Sequence, residues 1–238
     1  MARYLLLGSL LGLFPLWLSA QRPFYEDFTL QGDTYLTELD CFRLTEAEIY
    51  ASGSIWYKRP LSLLEPFAIE LSILAGCEDA LGADGMVFVF TPQTNQLGFV
   101  GEGIGFAGLR PSVGIEIDTW ENEHLNDPSK DHLAIMRNGW VGHQRDLAGP
   151  VVIPNIEDCS LHSLIILWEP GPKRLAVLID GVERIATQHD LVGDIFGGRT
   201  EVYWGVTAAT GRYHNIHEVC FDRLGARPLP MSPPDRAE

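Results

Sequence analysis

Apolar and polar positions along the chain alternate in short runs, which is the pattern of half-buried β-strands. β-Branched and aromatic residues fill these runs, and Gly, Pro, Asn and Asp separate them in segments such as GADG, EPGPK and FGGR. The pattern predicts nine strands: SGSIWYK, PFAIELSI, GMVFVF, SVGIEID, HLAIM, HSLIILW, RLAVLID, EVYWGVTA and EVCFD. No window carries an apolar stripe of helical period long enough for a major helix.

The order of these elements predicts the fold class. Helices do not alternate with the strands, which argues against a parallel α/β sheet. Many short strands over about 200 residues fit an all-β antiparallel sandwich or a jelly roll. We expect one domain over residues 21–226, followed by a Pro-rich, polar tail over residues 227–238.

Residues 1–20 have the anatomy of a secretory signal peptide. Arg3 supplies a positive start, an apolar stretch runs to Leu18, and the small residue Ala20 precedes the expected cleavage point. Pro15 interrupts the apolar stretch, which is shorter than the ~20 residues of a membrane-spanning helix. We therefore expect a secreted or periplasmic protein without a membrane span.

The cysteines fit an exported protein. Their number is even, which favours disulfides outside the cell and leaves three connectivities open. They are too scattered for a zinc knuckle. The four residues are Cys41, Cys77, Cys159 and Cys220.

The charge narrows the range of partners. The chain has 17 basic and 32 acidic residues, a formal net charge of −15. Loss of residues 1–20 would remove only Arg3, leaving 16 basic and 32 acidic residues, or −16. Such a surface repels phosphate backbones, so nucleic acid is an unfavourable partner, whereas cations and neutral ligands are suitable.

Residues 115–132, IEIDTWENEHLNDPSKDH, concentrate polar side chains after one predicted strand. Alternate strand residues share a face, so Glu116 and Asp118 point away from the neighbouring isoleucines. The loop after Trp120 returns to the strand that His132 begins, which brings its polar residues back to the carboxylates. Carboxylate and amide oxygens suit Ca²⁺, and an added imidazole suits a first-row ion such as Mn²⁺ or Zn²⁺.

A catalytic interpretation competes with the metal site. Glu116 and Glu121 lie in an E-x-D-x-x-E motif, which resembles the strand-borne motif of retaining β-glucanases. In those enzymes a bulge places both glutamates on one face as nucleophile and acid. In a regular strand the two would lie on opposite faces, and the motif alone leaves both interpretations open.

The segment VGIEIDTWENEHLNDPSKDHLAI resembles the metal-binding segment of L-type (legume-like) lectins, in which E-x-D-T-aromatic-x-N precedes Asp-Pro and a His. GADGMVFVF, PQTNQLGFVGEGIGFAGL and WGVTAATGRYHNIHEVCF are similar to other segments of that family, so the likeness covers most of residues 24–223. It is greatest to the secreted legume-lectin-like domains of Bacteroidetes. The resemblance implies a concanavalin A-like jelly-roll β-sandwich.

The resemblance also implies two ligand sets and a disulfide pairing. The transition-metal ion would be held by Glu116, Asp118, Asp127 and His132. Calcium would be held by Asp118, Asp127, Asn122 and the carbonyl of Trp120. Because the first and last strands are neighbours in this fold, Cys41 would pair with Cys220, and Cys77 with Cys159.

For the sugar, the family places a hydrogen-bond acceptor after a cis peptide bond, which corresponds here to Asp84 after Ala83. Asn122 would add a second polar contact to the sugar. Asn95 is the matching position of the second sugar loop, and the specificity loop carries Arg212 and Tyr213. Either Tyr213 or Phe99 would provide an apolar platform for the sugar ring.

These features predict a calcium-dependent, non-catalytic protein that binds glycans or glycoconjugates. Single-site sugar binding of this kind is weak, so a homo-oligomer would supply avidity. Two alternatives remain: a glycoside hydrolase that uses Glu116 and Glu121, and a structural or adhesion module with a vestigial sugar site.

Overall fold

The computed structural model describes residues 24–221, so the expectations for residues 1–20 and 227–238 lie outside the described residues. All nine predicted strands are present, together with six more. The strands are β1 (Phe28–Gly32), β2 (Tyr35–Leu36), β3 (Cys41–Thr45), β4 (Ser52–Tyr57), β5 (Leu61–Ser62), β6 (Phe67–Leu74), β7 (Gly85–Thr91), β8 (Val113–Asp118), β9 (His132–Arg137), β10 (Ala148–Val152), β11 (His162–Glu169), β12 (Arg174–Ile179), β13 (Val182–Gln188), β14 (Glu201–Ala209) and β15 (His217–Cys220).

Helical structure within the described range is limited to single turns. Four are 3₁₀ turns, at Phe24–Asp27, Gly101–Gly103, Glu123–Leu125 and His143–Arg145, and one is a π turn at Leu191–Ile195. None of the helical segments within residues 24–221 is long and apolar enough to cross a membrane.

The strands form two sheets in which neighbouring strands are antiparallel. The front sheet has the order β1-β4-β14-β7-β8-β9-β10, and β5 pairs with β14 beyond this path. The back sheet has the order β13-β12-β11-β6-β15-β3-β2. Strands that are distant in sequence are therefore neighbours in space, and the result is the all-β sandwich that the sequence predicts.

The main core fills the space between the two sheets. Alternation along β6 and β11 sends every second side chain into it, including Ile69 and Ile166. Trp204 of β14 is fully buried in it, with its ring stacked on Phe88 at 5.2 Å between centroids. Aromatic pairs at this spacing add about 0.5–1.5 kcal/mol beyond the burial of their area.

A second apolar cluster, the outer cluster, lies on the other face of the front sheet. The segment 96–109 crosses this face and is held there by hydrogen bonds from Trp56 Nε1 to the Gln96 carbonyl (2.8 Å) and from Thr207 Oγ1 to the Ile104 carbonyl (2.8 Å). An ideal Cβ on Gly114 would approach the Phe106 ring to 2.8 Å, so the close packing requires glycine there. The outer cluster consists of Trp56, Val87, Val89, Ile104, Phe106, Leu109, Ala134 and Met136.

Two disulfides join segments that are distant in the chain. Cys41 is bonded to Cys220, its cross-strand partner between β3 and β15. Cys77, which follows β6, is bonded to Cys159, which precedes β11. This is the pairing that the family resemblance implies.

Buried His217 provides a pH-dependent test of the back sheet. Its side chain lies on β15 with Nδ1 2.7 Å from Thr45 Oγ1, and burial lowers its pKa to about 3. In the unfolded chain a histidine accepts a proton near pH 6.5, so between these values the unfolded state binds more protons. The free energy of unfolding should therefore fall as the pH drops through this range, by up to about 1.4 kcal/mol per pH unit from this group.

Denaturant unfolding of the calcium-free protein at several pH values between 4 and 7 measures this dependence. His217→Asn keeps a group that can accept from Thr45 but does not titrate, so the slope should decrease by that amount. An unchanged slope in the variant would contradict the assignment to His217.

Candidate functional site

Strands β8 and β9 bring the first acidic side chains and a histidine together. Ile115 and Ile117 of β8 point into the main core, so Glu116 and Asp118 lie on the outer face of the front sheet, as the alternation predicts. Asp118 is the cross-strand partner of His132 on β9. Glu116, Asp118 and His132 are 1%, 3% and 0% exposed, which means that solvent does not compensate their polar atoms.

The loop between these strands folds back over their ends. Asp118 Oδ1 accepts from the Trp120 N–H (2.7 Å), and Asp127 Oδ2 accepts from the Asn122 N–H (2.7 Å). Asn126 adopts a left-handed conformation (φ 69°) that ends the 3₁₀ turn Glu123–Leu125. As a result Asp118, Asp127 and His132 each offer one ligand atom within 4.8 Å of the others.

His143 is a further member of the cluster that the sequence motif did not indicate. It lies on the turn between β9 and β10, with its side chain 3% exposed. Its Nε2 is 3.1 Å from Asp127 Oδ1 and 3.7 Å from Glu116 Oε2, and its Nδ1 is 2.7 Å from Asp146 Oδ2. Glu116, His132 and His143 form a second group of ligand atoms within 4.8 Å of one another.

Burial and neighbouring charges shift the pKa values of the titratable groups in the cluster. Burial raises the pKa of Glu116 to about 8, although His143 nearby works in the opposite direction. Burial, together with the charge of Glu116, raises the pKa of Asp118 well above its usual range. Burial disfavours the charged form of His143, but hydrogen bonds to Asp127 and Asp146 outweigh it and raise its pKa to about 10. Burial also lowers the pKa of His132.

Several buried ligand atoms lack hydrogen-bond partners among the described residues: Glu116 Oε2, Asn122 Oδ1 and His132 Nε2. Buried polar atoms are normally satisfied, so their concentration in one volume fits a site that can accept a cation. Oxygen donors suit calcium, and the two imidazoles suit a first-row ion. The residues present therefore fit divalent cations.

Asp84 lies beside this cluster. The Ala83–Asp84 peptide bond is cis, as the resemblance implies. The Asp84 carbonyl accepts from the Thr119 N–H (3.1 Å), which joins the residue to the end of β8. Its side chain is 5% exposed and its Oδ2 has no hydrogen-bond partner within the described part of the chain. Burial, with a smaller contribution from the charge of Glu102, raises its pKa to about 7.

The loop 210–213 passes next to Asp84. An ideal Cβ on Gly211 would lie 3.2 Å from Asp84 Oδ2, which places this backbone against the carboxylate. Tyr213 stacks on Trp120 with 4.4 Å between ring centroids and is 40% exposed, while Arg212 is exposed. The predicted specificity loop therefore contacts both Asp84 and, through Tyr213, the loop after β8 that carries Trp120.

The second predicted sugar loop, which carries Asn95, contacts the edge strand β1. The side chain of Asn95 hydrogen-bonds to Thr29 on β1, and none of the hydrogen bonds within residues 24–221 joins it to Asp84. The turn Gly101–Gly103 approaches the site instead, because the Gly101 N–H donates to the Thr210 carbonyl (3.1 Å). Phe99 is 72% exposed, which excludes core packing as its role.

The two glutamates of the E-x-D-x-x-E motif, Glu116 and Glu121, lie in different surroundings. Glu116 is buried inside the cluster, whereas Glu121 is exposed beyond the end of β8. The carboxylate of Glu116 faces His143, and nothing in the described contacts pairs it with Glu121.

Comparison with known proteins defines the class. A family model described as the legume lectin β-barrel domain matches residues 19–223, and the chain therefore belongs to the L-type lectin family. A galactose-binding lectin from Arachis hypogaea is 28% identical over 123 residues, which is 44% of this chain and 44% of that protein. The match thus spans less than half the length of this relative.

Solved structures of plant lectins have the same fold. The basic winged bean lectin with Tn-antigen has a TM-score of 0.67 at 22% identity, covering 82% of this chain and 90% of that one. The Bauhinia forficata lectin in complex with GalNAc has a TM-score of 0.68 at 21% identity, covering 82% and 91%. The metal-free Griffonia simplicifolia lectin I-B4 has a TM-score of 0.68 at 20% identity, covering 86% and 92%.

Proposed function

We propose that this protein is a secreted, calcium-dependent carbohydrate-binding protein without catalytic activity. The observation that carries the proposal is the position of Asp84. The Asp84 carbonyl accepts a hydrogen bond from the N–H of Thr119, the residue directly after Asp118. The buried Oδ2 of Asp84 has no hydrogen-bond partner in the described part of the molecule. An acceptor fixed beside a cation site suits the hydroxyl groups of a neutral sugar.

We infer that two ions order this site. Calcium would be held by Asp118, Asp127, Asn122 and the Trp120 carbonyl. The second ion would be held by Glu116, Asp118, Asp127, His132 and, in addition, His143. The ions supply positive charge that offsets the buried carboxylates and keeps them deprotonated.

Within this arrangement, different side chains make different contacts with the sugar. Asp84 accepts hydrogen bonds from sugar hydroxyls, and Asn122 contributes its side-chain amide. The ring of Tyr213, supported from below by Trp120, offers an apolar surface for the C–H face of a sugar. Galactose and N-acetylgalactosamine are the first ligands to test, because the compared lectins are described with these sugars.

The glycosidase alternative receives less support. A retaining enzyme requires two carboxyl groups that face the same sugar at a separation of about 5–5.5 Å. Glu116 is buried among imidazole and carboxylate groups, and Glu121 is exposed outside them. Release of reducing sugar from β-glucans that is lost in Glu121→Gln would overturn the non-catalytic assignment.

We also propose export through residues 1–20 and assembly into a homo-oligomer that supplies avidity. The greater likeness to Bacteroidetes domains stays a prediction from the sequence. A structural role with a vestigial sugar site is the remaining alternative, and it predicts metal binding without sugar retention.

A glycan array with and without a chelator tests the proposal. The wild-type protein should retain galactose-type or other neutral glycans only when calcium is present. Asp84→Asn should weaken retention about 10- to 100-fold, because a hydrogen bond to a charged group contributes about 1.5–3 kcal/mol. Asn122→Ala should weaken it by a similar factor, because it removes both an amide that contacts the sugar and a proposed ligand of calcium.

Glu121→Gln is the matched control, since this exposed acid is outside the site and should leave retention unchanged. Retention that survives both the chelator and Asn122→Ala would contradict the proposed mechanism. Calcium binding with no glycan retained would favour the structural module.

A further inference from the structure

A second acidic group lies outside the site described above. It consists of Asp79, Asp131 and Glu157, which we call the Glu157 cluster, and each residue offers one oxygen within 4.8 Å of the others. The three residues come from different segments: one precedes β7, one precedes β9 and one precedes β11. The sugar and metal functions proposed above use none of them.

Glu157 is the least compensated member. Its side chain is 3% exposed; Oε1 accepts from Asn215 Nδ2 (2.8 Å), while Oε2 has no hydrogen-bond partner among residues 24–221. Burial raises its pKa to about 8, although the side chains of Asn215 and, to a smaller extent, Thr119 act in the other direction. A buried carboxylate in this position requires either a proton or a cation.

The surroundings of Glu157 fix its carboxylate in place. Asn215 is itself held by the Cys77 N–H, which donates to its Oδ1 (3.0 Å), and by the Glu78 carbonyl, which accepts from its Nδ2 (3.0 Å). An ideal Cβ on Gly82 would lie 2.0 Å from Glu157 Oε1, so the backbone encloses this side of the group. The carboxylate is consequently fixed within reach of the other two acids.

Asp131 is oriented in a similar way. It is 7% exposed, and its Oδ2 accepts from the Ile156 N–H (2.8 Å), which ties it to the segment that carries Glu157. Asp79 is exposed and completes the cluster from the solvent side. Two buried carboxylates and one accessible carboxylate thus converge on one point.

A groove of about 680 Å³ leads to this point and contains Asp79, Thr119, Asp131 and Asn155 among its lining residues. It is large enough to admit water molecules that complete a coordination shell. Lys130 also lines the groove, but no salt bridge joins it to an acid of the cluster in the described structure. The carboxylates therefore lack a basic side chain as counter-ion.

We propose that the Glu157 cluster binds an additional calcium ion, separate from the ions of the sugar site. Calcium binds oxygen ligands at about 2.3–2.6 Å, so two oxygens on a common ion are separated by at most about 5 Å. The 4.8 Å limit within the cluster meets this condition. All three donors are oxygens, which favours calcium over a transition metal.

Such an ion would cross-link three chain segments next to the residues of the proposed sugar site. Asp79 is five residues before Asp84, Asp131 directly precedes His132, and Glu157 is two residues before Cys159. Since Cys159 is bonded to Cys77, two of the three ligand segments are already joined covalently. The disulfide reduces the conformational freedom that ion binding would otherwise have to remove.

Calcium stoichiometry by equilibrium dialysis at millimolar calcium tests the proposal, because extracellular calcium modules bind with Kd of about 10⁻⁴–10⁻³ M. With the second-ion site filled by Zn²⁺ or Mn²⁺, the wild-type chain should bind two calcium ions. The double variant Asp118→Asn/Asp127→Asn removes the sugar-site calcium and should retain one. Adding Glu157→Gln to that double variant should abolish the remaining ion.

Asp79→Asn provides the variant that does not disturb the core, since Asp79 is exposed. It should weaken the additional ion at least 10-fold and leave one calcium in the otherwise unchanged chain. Glu121→Gln, an acid that lines the same groove outside the cluster, is the matched control and should bind as the wild type does.

The inference fails if Asp118→Asn/Asp127→Asn binds no calcium while its circular dichroism is that of the wild type. It fails equally if Asp79→Asn leaves the stoichiometry at two. Glycan retention by Asp79→Asn is measured in parallel, so that loss of the additional ion is distinguished from failure of the proposed sugar site.

Discussion

Asp118→Asn is expected to abolish calcium-dependent glycan retention and to remove most of the rise in melting temperature that calcium causes. Asp118 is 3% exposed and lies against Glu116, Asp127 and Asp84, whose charges add to burial in raising its pKa. Asparagine keeps the oxygen that accepts from the Trp120 N–H but removes the charge that an ion requires. An ion that binds only the folded chain stabilises it by about 2.7 kcal/mol at a concentration of 100 Kd.

In the absence of metal ions, Asp118→Asn should not be less stable than the wild-type protein. Without cations, Asp118 is a buried carboxylate among other carboxylates, and its neutral replacement relieves that repulsion. We therefore expect the melting temperature of Asp118→Asn in chelator to equal or exceed that of the wild type, and to be far below it in calcium.

Differential scanning calorimetry in calcium and in chelator measures both quantities, with Glu121→Gln as the control that should follow the wild type. Equal calcium-induced shifts in Asp118→Asn and in the wild type would rule out Asp118 as a ligand.

His143→Asn is expected to change the identity of the second ion. Two imidazoles with carboxylates favour Zn²⁺ over Mn²⁺, because zinc binds nitrogen donors more strongly. We expect the wild-type protein to prefer Zn²⁺, and His143→Asn to lose about 100-fold in zinc affinity with a smaller loss for Mn²⁺. Asp146→Asn should have an intermediate effect of about 10- to 100-fold, since Asp146 orients the ring through Nδ1.

Competition between Zn²⁺ and Mn²⁺, read by metal analysis of the dialysed protein, measures this preference. His124→Asn is the matched control because His124 is exposed and pairs with Glu102 outside the ligand group. A zinc affinity that is unchanged in His143→Asn would show that one imidazole is sufficient.

Much of the fold could be predicted from alternation, and four of the six strands that were missed share a physical cause. β1 and β10 form the edges of the front sheet, and β13 and β2 form those of the back sheet. An edge strand is partly exposed on both faces, so it does not require the alternation that a central strand shows. Pro150 within β10 is tolerated for the same reason, since an edge strand has unpaired backbone groups.

The site was predictable where its residues are local in sequence. Glu116 and Asp118 follow from the two-residue period of β8, and the loop after them follows from its composition. His143 could not be found in this way, because its position depends on how the β9–β10 turn folds over the front sheet. A histidine followed three residues later by an aspartate was the available signal, and it is too common to identify a ligand.

The position of the loop that carries Asn95 could not be predicted from the sequence for a different reason. The contact between Asn95 and Thr29 depends on how segment 96–109 crosses the outer face, which follows from packing against Trp56 and Phe106. Sequence spacing contains no information about that path.

The stacking of Trp120 on Tyr213 has a thermodynamic consequence. The backbone of Trp120 belongs to the proposed calcium site, while Tyr213 belongs to the proposed sugar loop, and their rings are 4.4 Å apart. Ordering of one loop therefore restricts the conformations of the other through this ring contact. Coupling between the binding of two ligands is reciprocal. If calcium tightens sugar binding by some factor, sugar must tighten calcium binding by that same factor, so that in dilute calcium the glycan itself would help to fill the metal site.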